Sequence, residues 1–345
     1  MLGALLKETE LQKDYLGNEP VETIYFGGGT PSLLEIEDLK SQIEKLKQLF
    51  MISDDAEITL EANPDDISDG KLVGWKEIGI NRLSIGVQSF FEEDLLWMNR
   101  AHNAKQAVSS LRLAAQHFNN ITIDLIYGHP LLSNEKWNQN VEKVIELKIP
   151  HISCYALTVE PKTPLSKMIN EKKKEDIQQE KQAEQFLLLM EWLENAGYEH
   201  YEISNFARPG RRSRHNSSYW QGKKYLGLGP SAHSFDEESR QWNISNNSIY
   251  IGSLAGNKIP FEKELLTPSQ KANEYIMTSL RTSEGLDLER VGSSEFGVGS
   301  QELLVNSQKF IESGKLILKE NKLILTKEGK LFADGIAAEL FIEAI

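Results

Sequence analysis

The sequence predicts an α/β fold, a partial β/α barrel followed by a smaller winged-helix-like helical domain. Three observations carry this reading. Strand-like and helix-like runs alternate over the first two thirds of the chain, the strands carry polar residues on one face only, and the pattern changes after Phe235.

The strands are read at Thr23–Phe26, Glu57–Ala62, Arg82–Val87, Ile121–Tyr127, His151–Leu157 and Tyr198–Ser204. Helical spacing of apolar residues fills Glu35–Phe50, Ala104–Phe118, Trp137–Leu147 and Asp176–Ala196 between them. Repetition at this spacing calls for parallel strands joined by crossover helices, in an open sheet or a barrel. Parity separates the two. Ile58 and Leu60 alternate with Glu57, Thr59 and Glu61; Leu83, Ile85 and Val87 alternate with Ser84, Gly86 and Gln88; Thr122 and Asp124 oppose Ile123 and Leu125. Central strands of a doubly wound sheet are apolar on both faces. A polar face fits a barrel interior, and a closed barrel fills that interior with Val, Ile and Leu. The polar lining therefore predicts a larger or incomplete barrel that holds a ligand.

Residues 1–235 are assigned to this barrel, 236–266 to a polar, irregular connector, and 267–345 to the second domain. The chain opens on an amphipathic helix, Met1–Tyr15, where a β/α barrel opens on a strand. Either the first strand is missing or the helix is a decoration. In the second domain, helices are read at Gln270–Arg281, Asp287–Val291 and Gln301–Ser313. A hairpin pairs Leu316–Leu318 with Leu323–Leu325, and a last helix covers Lys327–Ala344.

Composition bounds the function. The 345 residues carry a net charge of −13, which argues against a general nucleic-acid binder, since phosphate backbones need a cationic surface. No apolar run is long enough to span a bilayer, and the start lacks the pattern of a secretion signal. A cytoplasmic protein is expected. The single cysteine, Cys154, precludes an intrachain disulfide and reads as a buried small residue within a strand.

Three constellations could carry chemistry. Tyr25-Phe26-Gly27-Gly28-Gly29-Thr30-Pro31-Ser32 runs a strand into three glycines, where backbone can approach a ligand closely; the glycines alone read equally as a tight turn. Glu61, Gln88, Arg100 and Asp124 fall at or just beyond strand ends, where a barrel gathers its active site. They form either a ligand cage or a structural ion-pair network. The segment Arg208–Trp220 sets Arg208, Arg211, Arg212 and Arg214 beside His215, Asn216, Tyr219 and Trp220. Guanidinium groups suit carboxylates, histidine is the commonest metal ligand, and aromatic rings pack on flat conjugated molecules. A haem satisfies all three; from composition alone a basic surface loop is the simpler reading.

The motifs YFGGGTPSLL at 25–34, LEANPDD at 60–66, INRLSIGVQSF at 80–90, MNRAH at 98–102, ITIDLIYGHP at 121–130, YALTVEP at 155–161 and LGLGPSAHSF at 226–235 occur in fixed order. Together they resemble the radical S-adenosylmethionine (SAM) family of oxygen-independent coproporphyrinogen oxidases, almost end to end across the barrel. The resemblance implies a six-stranded partial barrel with SAM and a [4Fe-4S] cluster. It assigns Gly28, Gly29 and Thr30 to the methionine end of SAM. Glu61, Gln88, Arg100 and Asp124 then form the rest of the cage, with Ala156 and His233 flanking its second part. HNSSYW at 215–220 is similar to the signature of the family's haem-chaperone branch. That branch implies haem contact at His215, with Asn216, Tyr219 and Trp220 beside it, and haem transfer to respiratory proteins. The alternative within the family is a coproporphyrinogen III dehydrogenase.

One departure is large. The family's Cys-x3-Cys-x2-Cys loop is absent, and one cysteine cannot hold an iron–sulfur cluster. That loop belongs with the missing first strand, so a shortened reading frame is expected to account for both, and the chain as written is not expected to cleave SAM reductively.

Overall fold

The computed structural model describes residues 1–293, 296 and 300–342. Helix α1 (Leu2–Leu11) precedes strand β1 (Val21–Phe26), and the chain then alternates: α2 (Ile36–Leu49), β2 (Ile52–Ala62), α3 (Asp69–Glu77), β3 (Arg82–Gln88), α4 (Glu92–Trp97), α5 (Ala104–His117), β4 (Ile121–Tyr127), α6 (Asn134–Glu146) and β5 (His151–Ala156). Next come α7 (Pro164–Asn170), α8 (Gln179–Asn195), β6 (Glu199–Glu202), β7 (Asn205–Ala207) and α9 (Arg214–Trp220). One seven-stranded sheet runs in the order β1-β2-β3-β4-β5-β7-β6, with β1 to β5 parallel. It curls into a half-barrel.

Alternation along the strands sorts residues between the two faces. Ile58, Leu60, Leu83, Ile85, Val87, Ile123, Leu125, Ile152 and Cys154 are buried together with Leu39, Leu72, Trp75, Leu111, Trp137 and Leu189 of the covering helices. The opposite, concave face carries Tyr25, Glu61, Arg82, Ser84, Thr122, Asp124, His151 and Ser153. Polar strand positions thus line the bowl, as their parity predicts. Helix α9 lies across that bowl, with its residues bonded to β1, β2 and β7.

The expected sixth strand, Tyr198–Ser204, is instead the first arm of a hairpin. β7 folds back between β6 and β5 and pairs antiparallel with both. The Glu202 carboxylate makes the turn by accepting from Ser204 N at 3.0 Å and Asn205 Nδ2 at 2.6 Å. No glycine or proline marks it.

The stretch 236–266, read as irregular, is ordered. β8 (His233–Phe235), β9 (Ser239–Asn243), α10 (Asn247–Ala255) and β10 (Phe261–Leu265) follow α9, and the three strands form a sheet in the order β10-β9-β8. β9 buries Ser239, Gln241 and Asn243, a polar inward face that hydrophobic periodicity cannot reveal.

This small sheet receives α1. Glu8 is fully buried, and its carboxylate accepts from Gly229 N at 2.8 Å, Asn243 Nδ2 at 2.5 Å and the Tyr250 hydroxyl. Burial pushes the Glu8 pKa up against these hydrogen bonds. Glu8→Ala would leave three buried donors without an acceptor. It is expected to cost about 1–3 kcal/mol, read as a lower urea midpoint at unchanged slope.

A second core holds the C-terminal elements: α11 (Pro268–Leu280), β11 (Leu286–Asp287), α12 (Leu288–Val291), α13 (Ser300–Glu312), β12 (Leu316–Lys319), β13 (Lys322–Leu325), α14 (Lys327–Lys330) and α15 (Ala333–Glu339). The hairpin β12–β13 gains β11 as a third strand, completing a winged-helix-like arrangement. The single last helix expected over Lys327–Ala344 is two. Gly329 lies against the hairpin, where a Cβ would stand 1.9 Å from the Lys315 carbonyl oxygen, and the helix breaks after Lys330. Residues 343 and 344 of that expectation lie outside the described residues.

Candidate functional site

The mouth of the bowl begins at the turn after β1. Gly27, Gly28 and Gly29 are exposed, and Gly28 has φ +81°, a conformation that favours glycine. At Gly27 a Cβ would lie 2.6 Å from Tyr25 Cε1 and 2.7 Å from Glu61 Oε1. Only glycine lets these side chains pass beneath the turn. Thr30 closes it, accepting Leu33 N at 3.1 Å through its carbonyl oxygen.

Glu61 ends β2. It accepts from the Tyr25 hydroxyl at 2.8 Å and from Gly28 N at 3.3 Å. Asp124 on β4 stands in register with Ser153 on β5. Burial, with the Glu61 charge adding to it, pushes the Asp124 pKa up to about 7. Arg100 donates to Asn63 Oδ1 at 3.0 Å and more weakly to the Gly86 carbonyl oxygen at 3.4 Å. Burial lowers its pKa, opposed by Asp65 and Asp124. Gln88 sits at φ +67°, and Ser89 N reaches back to the Val87 carbonyl oxygen at 2.8 Å. A non-glycine residue there stores roughly 1–3 kcal/mol of strain, which surrounding structure must hold. Here Ser89 Oγ donates to Asp94 at 2.7 Å and Phe90 N to Asn140 at 2.8 Å. Gly86 gives Arg100 and Gln88 room, since a Cβ there would stand 3.3 Å and 3.0 Å from their side chains.

These residues therefore meet at the mouth, with Glu61 bonded to Gly28 and Asp124 charge-coupled to Glu61 and Arg100. Ala156 ends β5 in register with Tyr127. His233 lies on β8, exposed, with its ring 6.2 Å from that of Trp242.

Below the mouth, Arg82 and Glu57 are buried 3.9 Å apart. Arg82 also donates to Asn120 and Thr122. The Glu57 carboxylate accepts from Ser213 Oγ at 3.4 Å, Arg214 N at 3.3 Å and His215 N at 3.0 Å, which anchors the start of α9. His151 fills the floor, with Nδ1 at 3.1 Å from Thr122 Oγ1 and Nε2 at 2.7 Å from the Tyr201 hydroxyl.

On α9, the His215 ring stacks on Tyr25 at 4.5 Å and 15°, meets Tyr219 edge-on at 5.0 Å, and sets Nδ1 3.0 Å from Thr23 Oγ1. Nε2 has no partner among the described residues. Burial pushes the His215 pKa down to about 4, so the ring is neutral at neutral pH. Asn216 turns the other way, donating to Asn205 Oδ1 at 3.4 Å. Tyr219 is 40% exposed. Trp220 packs away from His215, with the Arg281 guanidinium 5.2 Å above its ring.

Three of the four nearby arginines are committed. Arg208 lies over Tyr198, Arg212 pairs with Glu199 and Glu284, and Arg214 pairs with Asp55. Arg211 is exposed, and its guanidinium has no partner among the described residues. Sequence reasoning missed Thr23, Glu57 and Arg82 and gave Tyr25 no contact of its own; their shared strand face was the available signal.

The bowl with its glycine turn, and the helical module behind it, define a class. The radical SAM superfamily matches residues 6–144, and the HemN C-terminal domain matches residues 266–332. The structure superposes on coproporphyrinogen III oxidase (HemN) from Escherichia coli, a radical SAM enzyme, with a TM-score of 0.84 at 22% identity, covering 99% of this chain and 82% of that one. Heme chaperone HemW of Mycobacterium tuberculosis (strain ATCC 25618 / H37Rv) is 33% identical over 294 residues, 85% of this chain and 75% of that protein. Heme chaperone HemW of Bacillus subtilis (strain 168) is 34% identical over 277 residues, 79% and 73% respectively. The chain belongs to the heme chaperone HemW family.

Family membership implies SAM and a [4Fe-4S] cluster. The mouth suits SAM: open glycine backbone, two carboxylates and a guanidinium. The cluster does not fit these residues. Cys154 is 2% exposed among the covering helices' contacts, its thiol pushed well above its ordinary pKa by burial. Among the described residues no group of three or more His, Cys, Asp and Glu could hold a metal ion.

Proposed function

We propose that this chain is a haem chaperone that holds haem against α9 and hands it to haem-accepting respiratory proteins in the cytoplasm. The observation that carries the assignment is His215, a neutral imidazole with Nε2 unpartnered. When Thr23 accepts from Nδ1–H, the lone pair is left on Nε2, the tautomer a haem iron needs. Arg211 is the guanidinium free for a propionate, and half-exposed Tyr219 offers an aromatic edge beside the ring. Asn216 and Trp220 support the helix from behind, through Asn205 and Arg281.

Five of the six other histidines favour the same choice, His233 being the exception. His102, His129 and His151 are buried, His117 pairs with Asp69, and both ring nitrogens of His200 are engaged. Ligation by the partly exposed His215 suits a cargo that must leave. Among the described residues no helix is long and apolar enough to cross a membrane. Adding haem to the purified chain is expected to give a Soret shift that saturates at one haem per chain and reverses on adding an apo-haem acceptor. Absence of a saturable shift would remove the reading.

SAM is assigned to the mouth, with Gly28, Gly29, Thr30, Glu61, Gln88, Arg100 and Asp124 around it and Ala156 at the β5 end. Bound there, SAM supplies a sulfonium cation. Asp124 keeps its proton below about pH 7, and a cationic ligand favours the ionised form. SAM binding should therefore expel that proton. Affinity should rise by up to about tenfold per pH unit below 7 and level off above it. Calorimetry in two buffers of different ionisation enthalpy checks this; proton uptake on binding would contradict it.

A further inference from the structure

Tyr25 belongs to both ligand sets. Its hydroxyl donates to Glu61 Oε1 at 2.8 Å, and Glu61 Oε2 accepts from Gly28 N, on the mouth side. Its ring carries His215 at 4.5 Å and 15°, on the α9 side. We propose that Tyr25 couples the two sites, so that a ligand engaging Glu61 changes the affinity of His215 for haem. The proposal rests on the assignment of haem to His215 and goes beyond it.

The physical argument is one of shared, confined contacts. The Tyr25 hydroxyl and any ligand donor, such as a ribose hydroxyl or an ammonium group, compete for the same carboxylate. Tyr25 has little freedom to answer that competition alone. A Cβ at Gly27 would stand 2.6 Å from the Tyr25 ring, so the turn closes over one side of it, and His215 covers a face. A displaced hydroxyl must shift the ring on which the imidazole rests. His215 is itself held at Nδ1 by Thr23, two residues before Tyr25 on the same strand face, and at its amide by Glu57 on β2. Asn216 adds a parallel route: Asn205 Oδ1 accepts from both Asn216 and, at 2.9 Å, Ser153, which stands in register with Asp124. Strand β1 and helix α9 thus place the mouth and the cargo segment within one chain of contacts.

Coupling between sites is a ratio of affinities and is reciprocal. Haem is titrated into the full chain with and without saturating SAM, and SAM into the full chain with and without haem. In the unaltered chain the two ratios should be equal and at least about fivefold from unity. In Tyr25→Phe, which keeps the ring and removes the hydroxyl, both ratios should fall to unity. Tyr25→Leu, which also removes the ring, should in addition move the Soret maximum of bound haem. Ratios of unity in the unaltered chain, or ratios unchanged in Tyr25→Phe, would overturn the coupling. If His215→Ala binds haem with unaltered affinity and spectrum, the site assignment itself fails, and the coupling fails with it.

Discussion

Replacing Arg82 with leucine is expected to lower the stability of the fold by about 3–5 kcal/mol. Arg82 is 2% exposed and Glu57 5%, and their charged groups lie 3.9 Å apart. Burial drives the Arg82 pKa down, while the Glu57 charge pulls it back. Neither ion is replaceable by water at that depth, so removing the guanidinium strands a carboxylate in the sheet interior. The variant also leaves Asn120 and Thr122 without their shared donor. Urea unfolding of the variant measures the loss. Adding Glu57→Gln in the same chain should recover part of it, because the amide oxygen can still accept from the α9 amides without carrying an unpaired charge. An unchanged midpoint for Arg82→Leu would mean the pair is not the keystone of the bowl floor.

The second large effect concerns His215. Substituting alanine is expected to weaken haem binding about 100-fold, or about 2.7 kcal/mol, and to remove the spectrum of histidine-ligated iron. The ring is placed by three contacts that alanine lacks: the Tyr25 stack, the Tyr219 edge and the Thr23 hydroxyl. Its amide hydrogen bond to Glu57 survives the substitution, so α9 should stay in place. Loss of haem with unaltered thermal unfolding would therefore report ligation rather than folding.

The C-terminal module is tied to this helix as well. Arg281, which follows α11, lies over Trp220 and pairs with Glu202 and Asp334, so one guanidinium touches α9, β6 and α15.

Much of this architecture could be read from residue order. Alternation of Ile58 and Leu60 with Glu57, Thr59 and Glu61 revealed the polar bowl, because a strand sends neighbours to opposite faces. The strand ends likewise revealed that Glu61, Gln88 and Asp124 converge. What escaped depends on contacts distant in sequence. The β6–β7 turn is made by a glutamate side chain, β9 buries polar residues, and the last helix breaks where Gly329 meets the hairpin backbone. Three arginines that composition offers to a ligand are spent on partners such as Asp55 and Glu284, which periodicity cannot foresee. The sequence also could not show that α9 crosses the bowl, and so could not show that Tyr25 serves both ligand sets.

Neither ring nitrogen of exposed His233 has a hydrogen-bond partner among the described residues, so His233 is the rival ligand. The most direct test of the central claim is a haem titration of the unaltered chain, His215→Ala and His233→Ala, with optical and electron paramagnetic resonance spectra of the bound iron. The predicted result is histidine-ligated haem, at one per chain, in the unaltered chain and in His233→Ala, and its loss in His215→Ala. Unchanged affinity and ligation in His215→Ala would contradict the account, most sharply if His233→Ala were the variant that lost them.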